Sequence, residues 1–145
     1  MPTFERHVDV VWQGGLKDGK GEAKAGTGAF SLPVTFPSRV ESPEGRTSPE
    51  ELIAAAHAAC YAMALSATLG RQQASADRLD VTATVQADLG EGGIKIQTSR
   101  LRVKATGLKG LDAARFAEVA REAESKCPVS NALRGGIKVD LEASA

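Results

Sequence analysis

The sequence predicts an α+β protein with antiparallel strands and one central apolar helix. Three observations support this class: short alternating segments in the first third, an alanine-rich run after them, and two long alternating segments joined by a glycine turn. Alternation of apolar and polar residues is typical of strands with one face in water, and tight turns join such strands antiparallel. At 145 residues the chain has about the size of one domain, so we expect a single domain over 1–145.

The first third, residues 4–36, is predicted to form a meander of short strands. The stretch FERHVDVVW alternates, QGGLKDGKG has the composition of turns, and EAKAGTGAFSLPVTF offers two further short strands. The next stretch, PSRVESPEGRTSP, is polar and contains three prolines. We therefore expect it to be a loop.

A long helix is predicted over residues 49–69, because several start signals agree. Ser48 can cap the helix, Pro49 suits its first position, and Glu51 completes a Ser-x-x-Glu capping box. A glycine at position 70 offers the stop. The helix is apolar on nearly all sides, which predicts burial by its own domain or by a partner subunit.

The second half is predicted to hold a hairpin, a second helix and a last strand. Residues 79–107 alternate on both sides of the turn GEGG, as in a long hairpin. A helix follows over 111–126 with Asp112 as its cap, and a helical turn over 128–134 comes after it. The alternating stretch GIKVDLEA predicts a last strand over 136–143.

Composition argues against several function classes. Eighteen basic and eighteen acidic side chains cancel, so no overall field attracts nucleic acid or an anionic membrane. The longest apolar run has 14 residues, and a bilayer span takes about 20. The N-terminus also lacks the apolar core of a signal peptide. We expect a cytoplasmic protein with neither nucleic-acid nor membrane partners.

The chain has two cysteines, Cys60 and Cys127, and their setting leaves two readings open. They are 67 positions apart (127 minus 60), so there is no CxxC motif and no zinc-ligand spacing, even with the two histidines counted. No metal site is predicted. Each thiol is either a small buried residue or a reactive group. Cys127 precedes Pro128 at the start of a helical turn, whose N–H groups would stabilise a thiolate. His57, one turn before Cys60, is either a core residue or a proton acceptor.

Two stretches decide between these readings, PEELIAAAHAACYAMALS around Cys60 and KCPVSNAL around Cys127. Both closely resemble the OsmC/Ohr family, the osmotically inducible and organic hydroperoxide resistance proteins. The resemblance covers nearly the whole chain, from the W-x-G meander to the final IKVDLE. The sequence HAACYAM and the valine after Pro128 resemble the OsmC branch of the family.

The resemblance implies a fold and an activity. The family fold is an intertwined homodimer, with sheets wrapped around a pair of central helices. The implied activity is thiol-dependent reduction of organic hydroperoxides, with Cys60 as the peroxidatic cysteine and Cys127 as the resolving one. Arg39 matches the arginine that stabilises the thiolate, with Arg46 as the rival match, and Glu50 matches the acid that orients this arginine.

The implied cycle requires no cofactor. A thiolate is oxidised by the peroxide to a sulfenic acid, a second thiol condenses with it, and an external dithiol reopens the disulfide. The family suggests a lipoyl-type dithiol as reductant. The competing hypotheses are a non-catalytic dimeric stress or binding protein of the same fold, and a disulfide reductase, which the missing CxxC disfavours. We also expect an arginine beside Cys60 to lower the pKa of this thiol.

The spacing between Glu50 and Cys60 predicts where the acid acts. Ten residues of helix separate their α-carbons by about 15 Å along the axis and turn their side chains about 80° apart. Glu50 therefore cannot touch Cys60 of its own helix. Either an arginine bridges the gap within one chain, or Arg39 and Glu50 of one subunit face the two cysteines of the other. We favour the second, a composite site at the dimer interface.

Overall fold

A computed structural model describes residues 2–144. These residues form the predicted α+β class. Along the chain the elements are β1 (Val8–Gln13), β2 (Lys20–Ala25), β3 (Ser31–Val34), α1 (Phe36–Val40), α2 (Pro49–Arg71), β4 (Arg78–Gly90), β5 (Gly93–Thr106), α3 (Ala113–Lys126) and α4 (Pro128–Leu133). The chain divides into two compact units, one running through Leu52 with Gln86–Gln97 and the other comprising Ile53–Val85 with the residues from Thr98 onward. The single-domain expectation stays a prediction.

The first unit contains the predicted N-terminal meander. Strands β1, β2 and β3 form an antiparallel sheet in that order, with Val8 opposite Ala25 and Gly21 opposite Val34. The alternation of β2 buries Ala23 and Ala25 on one face, as expected for a strand with one wet side. Every residue of β1 is exposed, so this strand has a face without cover in the single chain.

The loop predicted after the meander begins with a short helix, α1, so that prediction is wrong at its start. Thr35 and Ser38 form a reciprocal capping box: Thr35 Oγ1 accepts from the Ser38 amide at 3.1 Å, and Ser38 Oγ accepts from the Thr35 amide at 3.2 Å. Pro37 lies in the first turn, where its missing N–H has no helical partner to lose. The helix matters because it carries Arg39.

Helix α2 begins as predicted and ends two residues later than predicted. Ser48 Oγ accepts from the Glu51 amide at 3.1 Å, which confirms the cap. The carboxylate of Glu51 accepts from the Thr47 hydroxyl at 2.7 Å, so the other half of the predicted capping box is replaced. Gly70 does not stop the helix, which continues through Arg71.

The surface of α2 is only partly covered within the chain. The side chains that are buried lie along one stripe: His57, Tyr61, Leu65, Thr68 and Leu69. Met63, on another side, is 69% exposed. By length and composition α2 could also cross a membrane, which corrects the estimate from the 14-residue apolar run, because small residues extend the apolar stretch beyond that run. The core helix of a soluble protein has the same length and composition, so these properties are shared by membrane-spanning helices and core helices.

The second unit has its core between α2, α3 and the strands β4 and β5. Asp112 caps α3 as predicted, its carboxylate accepting from the Arg115 amide at 2.8 Å. The predicted hairpin is confirmed as the strand pair β4–β5, joined by a two-residue turn. The core consists of small and aliphatic side chains with one aromatic: Tyr61, Leu65, Leu69, Ala74, Val119, Ala123 and Cys127.

The last strand, predicted over 136–143, is not formed. Residues 135–144 have neither helix nor strand, and Ile137, Val139 and Leu141 are 70%, 86% and 87% exposed. The alternating sequence is suited to a strand, but a strand also needs a neighbour to receive its backbone hydrogen bonds. Within residues 2–144 no strand pairs with this segment.

Candidate active site

The structure places the four predicted site residues in two separate pairs, one in each compact unit. Arg39 and Glu50 form an ion pair in the first unit. Cys60 and Cys127 lie side by side in the second unit, both as free thiols.

The Arg39–Glu50 pair is a forked, partly buried ion pair. Arg39 Nε donates to Glu50 Oε1 at 2.8 Å and to Oε2 at 3.1 Å, and Nη2 donates to Oε1 at 2.7 Å. The two side chains are 28% and 15% exposed. Burial alone would raise the pKa of Glu50. Three other effects outweigh burial and lower this pKa: the hydrogen bonds that Arg39 donates, a hydrogen bond from the backbone amide of Glu50, and the positive charge of Arg39. The carboxylate is thus held ionised, and it fixes the guanidinium in one orientation.

Arg46, the rival match from the sequence, lies in a different setting. Its guanidinium is 3.7 Å from the carboxylate of Glu44, and both side chains are largely exposed. An exposed ion pair of this kind orients neither partner strongly. Arg39 is therefore the arginine that Glu50 holds, and its part in catalysis remains a proposal.

The two cysteines occupy different positions in the helices. Cys60 is half-buried in the middle of α2, and Cys127 is fully buried at the junction where α3 ends and α4 begins. Pro128 starts α4 directly after it, as the sequence predicted. The two thiols are hydrogen-bonded neighbours, and each shifts the pKa of the other.

The electrostatics of this pair differ from the sequence expectation. Burial raises the pKa of Cys60. A hydrogen bond from the Val129 amide lowers this pKa in part, and the adjacent Cys127 raises it, so the pKa of Cys60 is raised in total. Burial also opposes ionisation of Cys127, yet the amide and hydroxyl of Ser130, the Cys60 thiol and the Val129 amide together lower the pKa of Cys127. The expectation of a lowered pKa at Cys60 is wrong for this reduced pair. Burial is the first reason, because it disfavours the Cys60 thiolate; the second is that the hydrogen bond between the two thiols stabilises the Cys127 thiolate and not that of Cys60.

An open cavity gives solvent access to Cys60. Its volume is about 480 Å³, and it includes two cationic side chains on its border. Its lining residues come from α2 and the α3–α4 junction: Cys60, Met63, Ala64, Ala67, Arg71, Lys126 and Pro128. The cavity is large enough for a small organic molecule, and Cys127 is not among its lining residues.

His57 is a buried histidine near the thiols. The sequence indicates it as a core residue or a proton acceptor, but does not indicate its hydrogen-bond partners. His57 is 4% exposed, with its Nδ1 2.6 Å from Ser99 Oγ on β5 and its Nε2 2.7 Å from Ser130 Oγ on α4. The Cys-Pro-Val-Ser spacing could have signalled Ser130, because it places a serine three residues after Cys127 at a helix start. Nothing in the sequence signals Ser99.

Along residues 2–144, no group of three or more histidine, cysteine, aspartate or glutamate side chains is arranged to hold a metal ion.

The fold and the site define an α+β protein with a pair of interacting, reduced cysteines on neighbouring helices. Comparison with known proteins makes this class specific. The sequence model of the family described as "OsmC-like protein" matches residues 42–142, and the chain belongs to this family.

Named relatives agree with this assignment. The chain is 38% identical over 141 residues to "Peroxiredoxin OsmC" of Escherichia coli K12, covering 97% of each chain. It is 31% identical over 146 residues to "Organic hydroperoxide resistance protein OhrA" of Bacillus subtilis, covering 98% of this chain and 96% of the relative.

A solved structure shares the fold. The organic hydroperoxide resistance protein OsmC of Legionella pneumophila superposes with a TM-score of 0.69 at 27% identity, covering 90% of each chain. The names of these relatives support a role in peroxide detoxification or stress resistance.

Proposed function

We propose that this chain is a thiol peroxidase that reduces organic hydroperoxides to alcohols. The Cys60 thiolate attacks the outer oxygen of ROOH, the O–O bond breaks, and the alkoxide takes a proton and leaves as ROH. Cys60 becomes a sulfenic acid. The Cys127 sulfur then attacks the Cys60 sulfur, the S–O bond breaks, and water leaves with the proton that Cys127 gave up. An external dithiol, of lipoyl type, reduces the resulting Cys60–Cys127 disulfide by exchange.

One observation supports this proposal above the others: the two thiols lie side by side, and of the two only Cys60 lines an open cavity. A peroxide can reach the accessible thiol, and the buried thiol waits beside it for the second step. Two adjacent thiols without access to solvent would not suit this order of events.

We assign Arg39 and Glu50 supporting roles in the same reaction. In this proposal Arg39 supplies a positive charge to the reaction site, and Glu50 holds the guanidinium by its forked hydrogen bonds. The two pairs act together either within one chain or across a composite dimer site. No metal, haem or flavin takes part in the proposed steps.

We further propose that the working form is a cytoplasmic homodimer. Three apolar surfaces support a partner copy: the uncovered sides of α2, the exposed strand β1, and the alternating segment 136–143. A second chain would cover the apolar helix that one chain leaves partly exposed.

The function is tested by turnover and mass spectrometry on the reduced protein. Wild type, Cys60→Ser and Cys127→Ser are mixed with cumene hydroperoxide and dihydrolipoamide, and peroxide loss is followed. We expect multiple turnovers in wild type, none in Cys60→Ser, and about one in Cys127→Ser, which then stalls with one added oxygen on Cys60.

Two results would contradict the proposal. Multiple turnovers in Cys60→Ser would show that Cys60 is not the nucleophile. A folded, reduced wild-type protein that consumes no hydroperoxide would favour the non-catalytic stress or binding protein.

A further inference from the structure

We infer that His57 is a positioning residue for the second thiol: through the hydroxyl of Ser130, it aims a hydrogen-bond donor at the sulfur of Cys127. The inference rests on the proposed function, because it assigns a device to the resolving step of that cycle. It concerns a buried group that the reaction steps above leave without a role.

The first support is the connection of polar side chains through an apolar core. His57 bonds Ser99 and Ser130, and Ser130 interacts with Cys127 through both its amide and its hydroxyl. The chain of contacts thus runs from β5 through α2 to the α3–α4 junction. A buried imidazole is costly without partners, and both ring nitrogens of His57 have one. A packing role alone would not require a polar side chain here.

The second support is the number of donor hydrogens available along the contacts from Ser99 through His57 to Ser130. Burial lowers the pKa of His57, so the ring is neutral near pH 7 and has one N–H and one acceptor nitrogen. If Ser99 donates to Nδ1, then Nε2–H donates to Ser130 Oγ. The Ser130 hydroxyl is then left free to donate to the Cys127 sulfur, which is the arrangement suited to a thiolate.

The opposite arrangement suits the neutral thiol. With Nδ1–H donating to Ser99, the Ser130 hydroxyl donates to Nε2 and can only accept from the Cys127 S–H. Loss of the thiol proton therefore favours the first tautomer, and the first tautomer favours loss of the proton. His57 couples the direction of these hydrogen bonds to the ionisation of Cys127.

The surrounding charged and titratable groups do not replace this donor. They are Cys60 and Tyr61 on α2, Glu124 on α3, and Arg134 after α4. Glu124 and Arg134 form an ion pair, and they shift the pKa of His57 in opposite directions. The Tyr61 hydroxyl donates to the Ala120 carbonyl at 2.8 Å, so its hydrogen is already engaged. Arg100 lies on the exposed side of β5.

The consequence for the cycle concerns the rate of disulfide formation. The attacking species is the Cys127 thiolate, and its fraction at a given pH depends on the donors around the sulfur. Without the oriented hydroxyl, the thiolate fraction at pH 7 falls. Disulfide formation then slows at neutral pH and recovers at a higher pH.

The test titrates Cys127 alone and needs no turnover. In a Cys60→Ser background, thiolate absorbance near 240 nm is followed against pH for added His57→Met, His57→Gln and Ser130→Ala changes. We expect His57→Met and Ser130→Ala to raise the midpoint by roughly 0.5–1 pH unit, the equivalent of one lost hydrogen bond. His57→Gln can still donate to Ser130, so its midpoint should stay near that of the parent.

The matched control is Ser125→Ala, two residues before Cys127 in sequence. Its hydroxyl donates to the Glu122 carbonyl at 2.7 Å on an exposed side of α3, so its removal should leave the midpoint unchanged. Circular dichroism on every variant identifies any that fails to fold. Ser130→Ala, the smallest change, keeps the test decisive if His57→Met is lost.

The outcomes separate this inference from the proposed function. Equal midpoints in the parent and in folded Ser130→Ala would overturn the inference, whether or not the protein reduces peroxides. Equal shifts in His57→Met and His57→Gln would also overturn it, since they would assign His57 a general structural role. A wild type without peroxidase activity would reject the function and leave the titration result intact.

Discussion

Replacing Glu50 by glutamine removes one charge from the Arg39 ion pair and nearly preserves its shape. The amide oxygen can take the place of Oε1, which accepts two of the three hydrogen bonds. The amide nitrogen then faces Arg39 Nε, where Oε2 accepts at 3.1 Å, so two donors meet. A hydrogen bond to a charged group contributes about 1.5–3 kcal/mol. Solvent screening at 28% and 15% exposure reduces this, so we expect the free energy of unfolding to fall by about 1–2 kcal/mol.

Urea unfolding at several pH values measures this loss and its electrostatic origin. The pKa of Glu50 is lowered in the folded chain from an ordinary value of 4.5. Its contribution to stability is therefore complete above that value and is lost as the pH falls through the folded pKa. The difference in the free energy of unfolding between wild type and Glu50→Gln should be full at pH 7 and should narrow below pH 4.5.

Arg39→Ala should also slow peroxide reduction, whereas Arg46→Ala should not.

The control for the Glu50→Gln prediction is Glu44→Gln, which alters the exposed pair with Arg46 at 3.7 Å. Exposed ion pairs contribute little, so no measurable change in the urea midpoint is expected. Equal stabilities of wild type and Glu50→Gln at pH 7 would refute the reasoning. A gap that stays constant from pH 7 to below pH 4 would show that the loss comes from shape and not from charge.

Three further predictions concern the dimer, the composite site and the cap of α3. Sedimentation should show a dimer at micromolar concentration, and a folded monomer would contradict this. Subunit exchange between Glu50→Ala and Cys60→Ser proteins should restore activity if the site is composite. A mixture that stays inactive would contradict the composite site. Asp112→Ala should lower the free energy of unfolding by about 1 kcal/mol through loss of the α3 cap, whereas Asp112→Asn, which can still accept from the Arg115 amide, should lose much less. Equal losses in these two variants would argue against a capping role.

Local signals in the sequence predicted most of the elements, because each signal acts over three or four residues. Ser48 and Asp112 cap their helices as expected, since a side-chain oxygen reaches an amide three residues on in any such turn. The short helix α1 lies in a stretch with three prolines, which favours a loop prediction, although only Pro37 falls within the helix. In a first turn Pro37 is compatible with a helix.

The failures have a common physical origin in contacts between distant parts of the sequence. The segment 136–143 has the pattern of a strand, but pairing depends on an available neighbour, which alternation does not specify. Ser99 is 42 positions from His57 and Ser130 is 73, so no local pattern connects them. The ionisation of Cys60 likewise depends on Cys127, which the fold brings beside it. The candidate site residues could be predicted from family motifs, whereas the directions of their pKa shifts depend on contacts that only the fold provides.

The location of both sulfurs in one compact unit of one chain has a consequence for reaction order. In the proposed cycle, disulfide closure is unimolecular, because the fold holds the second sulfur at a high effective concentration beside the first. Its rate therefore does not change with the amount of protein in the cell. In this cycle a dilute protein converts its sulfenic acid to the disulfide as quickly as a concentrated one, and the disulfide lies within one chain.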